Sequence, residues 1–186
     1  MNIKNEIPHA NIAAQTIDEK SNPVRIEFTA AANGGTEALW FAFRLEHAEF
    51  AAEPKEIILV FKYFETVLGG YKTETQKLSI VYRSENNDWQ RSAPGKEEIS
   101  QDGQLSLLWQ FQITGEYTDF ALCFPYGKTE LKNFLSTHPS SFMQENHIGI
   151  TQKNREIPRL SNNGHVNKNL KGIYFIARQH AGETPG

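Results

Sequence analysis

The last seven residues but three contain one pairing of side chains that could do chemistry: His180-Ala181-Gly182-Glu183, an H-x-x-E pair. Neutral imidazole and carboxylate are both good zinc ligands. The small residues between them let the backbone curl and aim both side chains at one ion. Two ligands are fewer than the three that a catalytic zinc takes from its protein before a fourth position goes to water. H-x-x-E also arises by chance, so spacing alone argues the metal role weakly. The pair directly follows Gly172-Ile173-Tyr174-Phe175-Ile176-Ala177, a continuous apolar segment. Open α/β sheets place ligands and catalytic groups at the carboxyl ends of such strands.

Other candidates carry bland readings. His9, His47, His138, His147 and His165 are scattered without ligand spacing and read as surface or structural. Cys123 lies in an apolar segment and reads as a small buried hydrophobe rather than a nucleophile. Trp40, Trp89 and Trp109 could form an aromatic platform for carbohydrate, but their apolar settings favour core packing. Glu97-Glu98 would point to opposite faces of a strand, and the reading here is a solvated turn.

The elements that would position these residues are mostly strands. Val24, Ile26 and Phe28 alternate, as do Leu39, Phe41, Phe43 and Leu45, then Leu78, Ile80 and Tyr82. Ile57 to Phe61 is continuously apolar, as in a strand covered on both faces. Leu105, Leu107, Trp109, Phe111 and Ile113 alternate strictly and predict one buried face; Phe120, Leu122 and Phe124 follow. Turn residues separate these segments: Asn33-Gly34-Gly35, Gly69-Gly70, Glu85 to Asp88, Pro94-Gly95 and Asp102-Gly103. The pattern predicts a mainly β protein, with a loose polar arm over 1–21 and an antiparallel β-sandwich over 22–124.

The character changes at 125–186, where an α/β unit is expected. Leu131, Phe134 and Leu135 sit at i, i+3 and i+4, with Thr129 as a cap and His138-Pro139 as a stop. Two short strands follow, over 148–151 and 156–160, then a turn at Asn162-Asn163-Gly164 and the apolar strand over 172–177.

Composition bounds the function. The 186 residues carry 19 basic and 22 acidic side chains, a net charge of -3, which argues against nucleic-acid binding through phosphate neutralisation. The longest apolar run is six residues, Ala38 to Phe43, far below the roughly 20 that cross a bilayer. The first residues include Glu6, Pro8 and His9 where a secretion signal would be apolar. Cys123 is the one cysteine, so no intrachain disulfide forms, and a cytoplasmic location is expected.

The segment from Ile173 to Thr184 resembles the first zinc-binding segment of the zinc carboxypeptidases. More specifically it resembles that of the cytosolic carboxypeptidases, an apolar strand followed by A-R-x-H-P-G-E. Leu39-Trp40-Phe41-Ala42-Phe43-Arg44 resembles the W-F-x-F-R strand of their N-terminal β-sandwich, and Trp89-Gln90-Arg91 its W-x-R strand. Asp119 to Tyr126 resembles the segment ending in P-Y that enters the catalytic domain, and 149–160 the hairpin before the zinc strand. Ala181 departs from the usual proline, and Gly69 to Lys72 and Gly127-Lys128 depart from common forms.

The resemblance implies an N-terminal portion of a zinc carboxypeptidase, a β-sandwich followed by the start of an α/β catalytic domain. His180 and Glu183 would be the first and second zinc ligands. The family's third ligand, general-base glutamate and carboxylate-binding basic residues fall at positions after Gly186, so no catalytic residue is expected within the chain. The implied substrate is the C-terminal tail of a peptide or protein, with no nucleic-acid or membrane partner. A non-catalytic β-sandwich interaction module is the alternative. The 126–186 region is expected to be less stable than the sandwich, because one short helix is too little to cover the 172–177 strand.

Overall fold

The structure is a computed structural model that describes residues 1–32, 40–50, 53–62, 78–85, 87–139, 143–162, 169 and 171–173. Twelve strands and one α-helix are defined among them. The strands are β1 (Asn2–Lys4), β2 (Ala14–Asp18), β3 (Val24–Thr29), β4 (Ala42–Glu46), β5 (Lys55–Phe61), β6 (Val81–Ser84), β7 (Gln90–Arg91), β8 (Lys96–Ile99), β9 (Leu105–Ile113), β10 (Tyr117–Ala121), β11 (Gln144–Ile150) and β12 (Glu156–Ser161). The helix, α1, is Lys128–Thr137, between β10 and β11. The chain divides into one unit over Met1–Pro125 and a second that begins at Tyr126.

The first unit holds two five-stranded sheets, ordered β1-β4-β10-β6-β7 and β2-β3-β5-β9-β8. Strict alternation explains how they share a core. Val24, Ile26 and Phe28 are all but fully buried along β3, whereas Arg25, Glu27 and Thr29 between them are half-buried. Leu107, Trp109, Phe111 and Ile113 are buried, and Leu105 packs against the same cluster, so the expected face of β9 is observed. Aromatic rings tie the two sheets together. Phe28 of β3 lies 4.9 Å from both Phe41 and Phe43, and Phe111 of β9 lies 5.0 Å from Phe120 of β10. Offset and edge contacts at these distances add to the burial of the rings.

Two expectations are corrected. Residues 1–21 are not a loose arm: β1 pairs with β4, and β2 pairs with β3. Their side chains are too polar to announce strands, because each is an edge strand with one face to solvent; Ile3 and Ile12 are the buried anchors. The second sheet is also not wholly antiparallel, since β3 and β5 pair in parallel, Val24↔Ile57 to Phe28↔Phe61. Parallel neighbours need a crossover, and here β4, in the other sheet, lies between them in sequence.

The outer faces are covered in different ways. On the β3 sheet, Lys62 Nζ donates to Glu27 at 3.1 Å, Arg25 Nε donates to Glu27 at 3.0 Å, and Arg25 also pairs with Glu98 of β8. Val60 (opposite Glu27) and Ser106 (opposite Glu98) are buried on this sheet. Long charged side chains cover such positions with their aliphatic stems. Burial pushes the Glu27 carboxyl up, but hydrogen bonds from Arg25 and Lys62 outweigh it and hold the group below its usual value. On the β4 sheet, Ala42, Val81 and Ala121 share one row across three strands, and Trp40 packs on that row, its indole donating to His9 O at 2.7 Å.

His47, just after β4, is fully buried. Its Nε2 lies 3.0 Å from Thr118 Oγ1, while Nδ1 finds no partner among the described residues. Burial lowers its pKa below 6.5, outweighing the opposite pull of the Glu49 carboxylate. The unfolded chain therefore binds a proton more readily than the folded one. Stability from this group is complete above pH 6.5 and is lost as the pH falls through the depressed folded value. Urea midpoints measured from pH 7.5 down to about 5, above the carboxylate range, should fall for the wild type. They should fall less for His47→Gln; equal pH slopes would show that His47 does not carry the dependence.

In the second unit, β11 and β12 form an antiparallel hairpin with an irregularity between His147 and Gly149. The two strands expected there are present and extended towards 144 and 161. The helix begins two residues earlier than a Thr129 cap requires. Gly127 is the cap, and its N–H donates to Glu130 Oε2 at 2.7 Å. A carboxylate reaching back over the first turn also suits the helix dipole. Among the described residues of this unit none is buried; Phe134, Ile148 and Ile150 are at least half exposed.

Candidate functional site

His180 and Glu183 lie outside the described residues, as do Tyr174 to Ala177 of the segment that leads to them. Of the expected 172–177 strand, Gly172 and Ile173 are described; neither is in a strand, and Ile173 is exposed. Among the described residues no three His, Cys, Asp or Glu side chains converge to hold a metal ion. The fit to zinc therefore stands on donor chemistry: an imidazole and a carboxylate three residues apart.

The other candidates are placed by the fold. Trp40 and Trp109 are buried, with both indole N–H groups donating to backbone carbonyls, which removes them from any exposed platform. Cys123 is half-buried against the cluster of Trp40, Ala42, Val81 and Ala121. Glu97 and Glu98 belong to β8 rather than to a turn, and Glu98 is committed to Arg25. His9 supplies its carbonyl to Trp40, and His138 caps α1 with its ring stacked 4.7 Å from Phe134. His147 lines a cleft of about 160 Å³ with Glu145 and Glu156, where Lys128 pairs with Glu156 at 3.0 Å. His165 lies outside the described residues.

One polar cluster was not foreseen. Asp119 of β10 is buried and stands opposite Arg44 of β4 on one side and Arg83 of β6 on the other. Arg44 donates from Nε to Oδ1 at 2.7 Å and from Nη2 to Oδ2 at 3.0 Å; Arg83 Nε donates to Oδ2 at 3.1 Å. The guanidiniums lie over Tyr117, at 3.6 Å, and Trp89, at 4.8 Å. This row locks three strands in register. It also joins segments already noted for their resemblance, since Phe41 to Arg44 and Asp119 to Ala121 meet across the β4–β10 ladder. The residues were legible one by one, but their register was not.

No family model matches the sequence, and no curated protein does. The fold, in contrast, is similar to that of solved metallo-carboxypeptidases. One, from Burkholderia cenocepacia, is 17% identical and aligns at a TM-score of 0.64 over 86% of this chain and 39% of its own. Another, from Pseudomonas aeruginosa and in complex with (2-guanidinoethylmercapto)succinic acid, is 18% identical, with a TM-score of 0.62 over 86% of this chain and 40% of its own. At such identities the likeness is one of fold. Over most of its length this chain thus folds like a metallo-carboxypeptidase, and it spans about two-fifths of the length of the structures it matches. No helix among the described residues is long and apolar enough to cross a membrane.

Proposed function

We propose that the chain is the N-terminal portion of a cytoplasmic zinc metallocarboxypeptidase, a β-sandwich followed by the start of an α/β catalytic domain. The observation that carries this reading is the fold likeness to metallo-carboxypeptidases over 86% of the chain, joined to the His180-x-x-Glu183 pair at its end. The reaction is hydrolysis of the C-terminal peptide bond of a peptide or protein tail. Zinc, when bound, would supply Lewis-acid polarisation and a more acidic water. His180 and Glu183 would hold the ion, the imidazole neutral and the carboxylate ionised. The β-sandwich supplies the stable, buried core of the chain, to which the less buried second unit is joined at Pro125–Tyr126.

A direct experiment follows. The 186-residue chain alone should neither hold stoichiometric zinc through equilibrium dialysis nor release C-terminal residues from peptides, since two protein ligands leave at least two positions to water. Extending the reading frame past Gly186, to the length of the matched structures, should give both properties, and His180→Ala in that longer chain should abolish both. A longer chain that binds no zinc would instead favour the non-catalytic interaction module.

A further inference from the structure

The imidazole of His47 sits where β4 leaves the core. His47 and Leu45 are both fully buried, while Glu46 between them faces out and pairs with Lys4 at 3.6 Å. On the β10 side Thr118 Oγ1 meets Nε2, and His47 N–H donates to Glu116 O at 2.8 Å. Nδ1 has no partner among the described residues, so one polar atom of a titratable ring is enclosed and unpaired.

The charges around the ring belong to one small cluster. The Met1 ammonium donates to Glu19 and to Glu49, each at 2.6 Å. The bond to Glu19, and then that to Glu49, raises the pKa of the ammonium, and the same ammonium holds the Glu49 carboxylate below its usual value. Both groups therefore keep their charge between pH 7.5 and 5.5, a window in which histidine changes its own. Burial is what chiefly keeps His47 neutral, and the ammonium adds to it. The carbonyls of His47 and Gly115 and the Glu49 carboxylate favour the charged ring without outweighing burial.

A charged ring needs water, so an element beside it must move. Strand β10 is flanked by β4 and β6, whereas β1 is three residues long, pairs with β4 alone and buries Ile3 as its one core side chain. The element with fewest buried contacts opens at least cost.

We propose that His47 is an acid-sensitive latch on β1: the neutral ring keeps the edge strand seated, and protonation releases it from β4 while the rest of the first unit stays folded. The released state gives the imidazolium both water and the Glu49 carboxylate, which exchanges one cation for another.

Hydrogen exchange on the wild-type 186-residue chain tests this without any variant. With rates corrected for the intrinsic effect of pH, protection of residues 2–4 should fall by up to about ten-fold from pH 7.5 to 5.5, because the released ring takes its proton near 6.5. Urea at low concentration should leave that exchange unchanged, since a local opening exposes little surface, and should speed exchange at 107–113. Linkage is reciprocal, so loosening β1 must ease protonation of the ring. Ile3→Ala should raise the midpoint of the His47 ring titration, followed by nuclear magnetic resonance, towards 6.5, and Leu107→Ala in β9 should leave it in place. Exchange of 2–4 that does not respond to pH, or that rises with urea in parallel with 107–113, would overturn the proposal. So would equal midpoints in the wild type and Ile3→Ala, or equal shifts in the two variants, because the ring would then titrate without β1 or only through global unfolding.

Discussion

Replacing Trp109 with alanine should lower the unfolding free energy by about 3–5 kcal/mol, the range for emptying a buried aromatic site. The residue is almost wholly buried, and its indole packs so closely on Gly95 that a Cβ there would lie 2.8 Å from Trp109 Cε2. Its Nε1 donates to Leu78 O at 3.2 Å, and Gly95 N–H donates to the same carbonyl at 2.9 Å. One ring thus fastens β9 to the stretch before β6 and to the stretch before β8, so little can collapse into the space. Trp109→Phe should keep most of the packing and lose the hydrogen bond, at a cost of about 1–2 kcal/mol. Urea unfolding followed by circular dichroism measures both. A loss below about 1 kcal/mol for the alanine variant would show that the site is not the close-packed one described.

Asp119→Ala should be nearly as damaging. Removing one partner of a buried ion pair commonly costs about 3–5 kcal/mol, because the remaining charge is left uncompensated. Arg44 and Arg83 are 26% and 39% exposed and regain some water, so about 2–3 kcal/mol is the expected loss. Arg44→Met with Asp119→Leu, which removes the bidentate pair together, should be less destabilising than Asp119→Ala alone. A double-mutant cycle measures the coupling between Arg44 and Asp119. Coupling near zero would mean that the row does not hold β4 and β10 in register.

Much of the chain was legible because local chemistry decided it. The strict alternation of Leu105 to Ile113 could bury those five side chains together only as a strand, since a helix would scatter them around its axis. Asp102-Gly103 marked the turn before β9, where Gly103 adopts a φ of +81° that other residues resist. The β11–β12 hairpin and α1 were likewise written in short-range periodicity and turn residues. The candidate metal pair, His180 and Glu183, is likewise a local pattern of two residues three positions apart, and it lies outside the described residues.

What only the tertiary structure decided depends on register and on distant partners. Strands β1 and β2 are too polar to announce themselves; they exist because β4 and β3 offer edges to pair with. The parallel pairing of β3 with β5 follows from how the chain returns from the other sheet, and no residue within either strand records it. Asp119 and Arg44 are 75 positions apart, and a slip of one residue would turn them to opposite faces, so their pairing is fixed by the core on the other side of the sheet. His47 is buried for the same reason: its neighbours in space, Thr118 and Glu116, come from the far end of the first unit. The uneven pairing of β9, with β8 as far as Leu108 and with β5 as far as Ile113, is likewise a matter of register that no residue within β9 records.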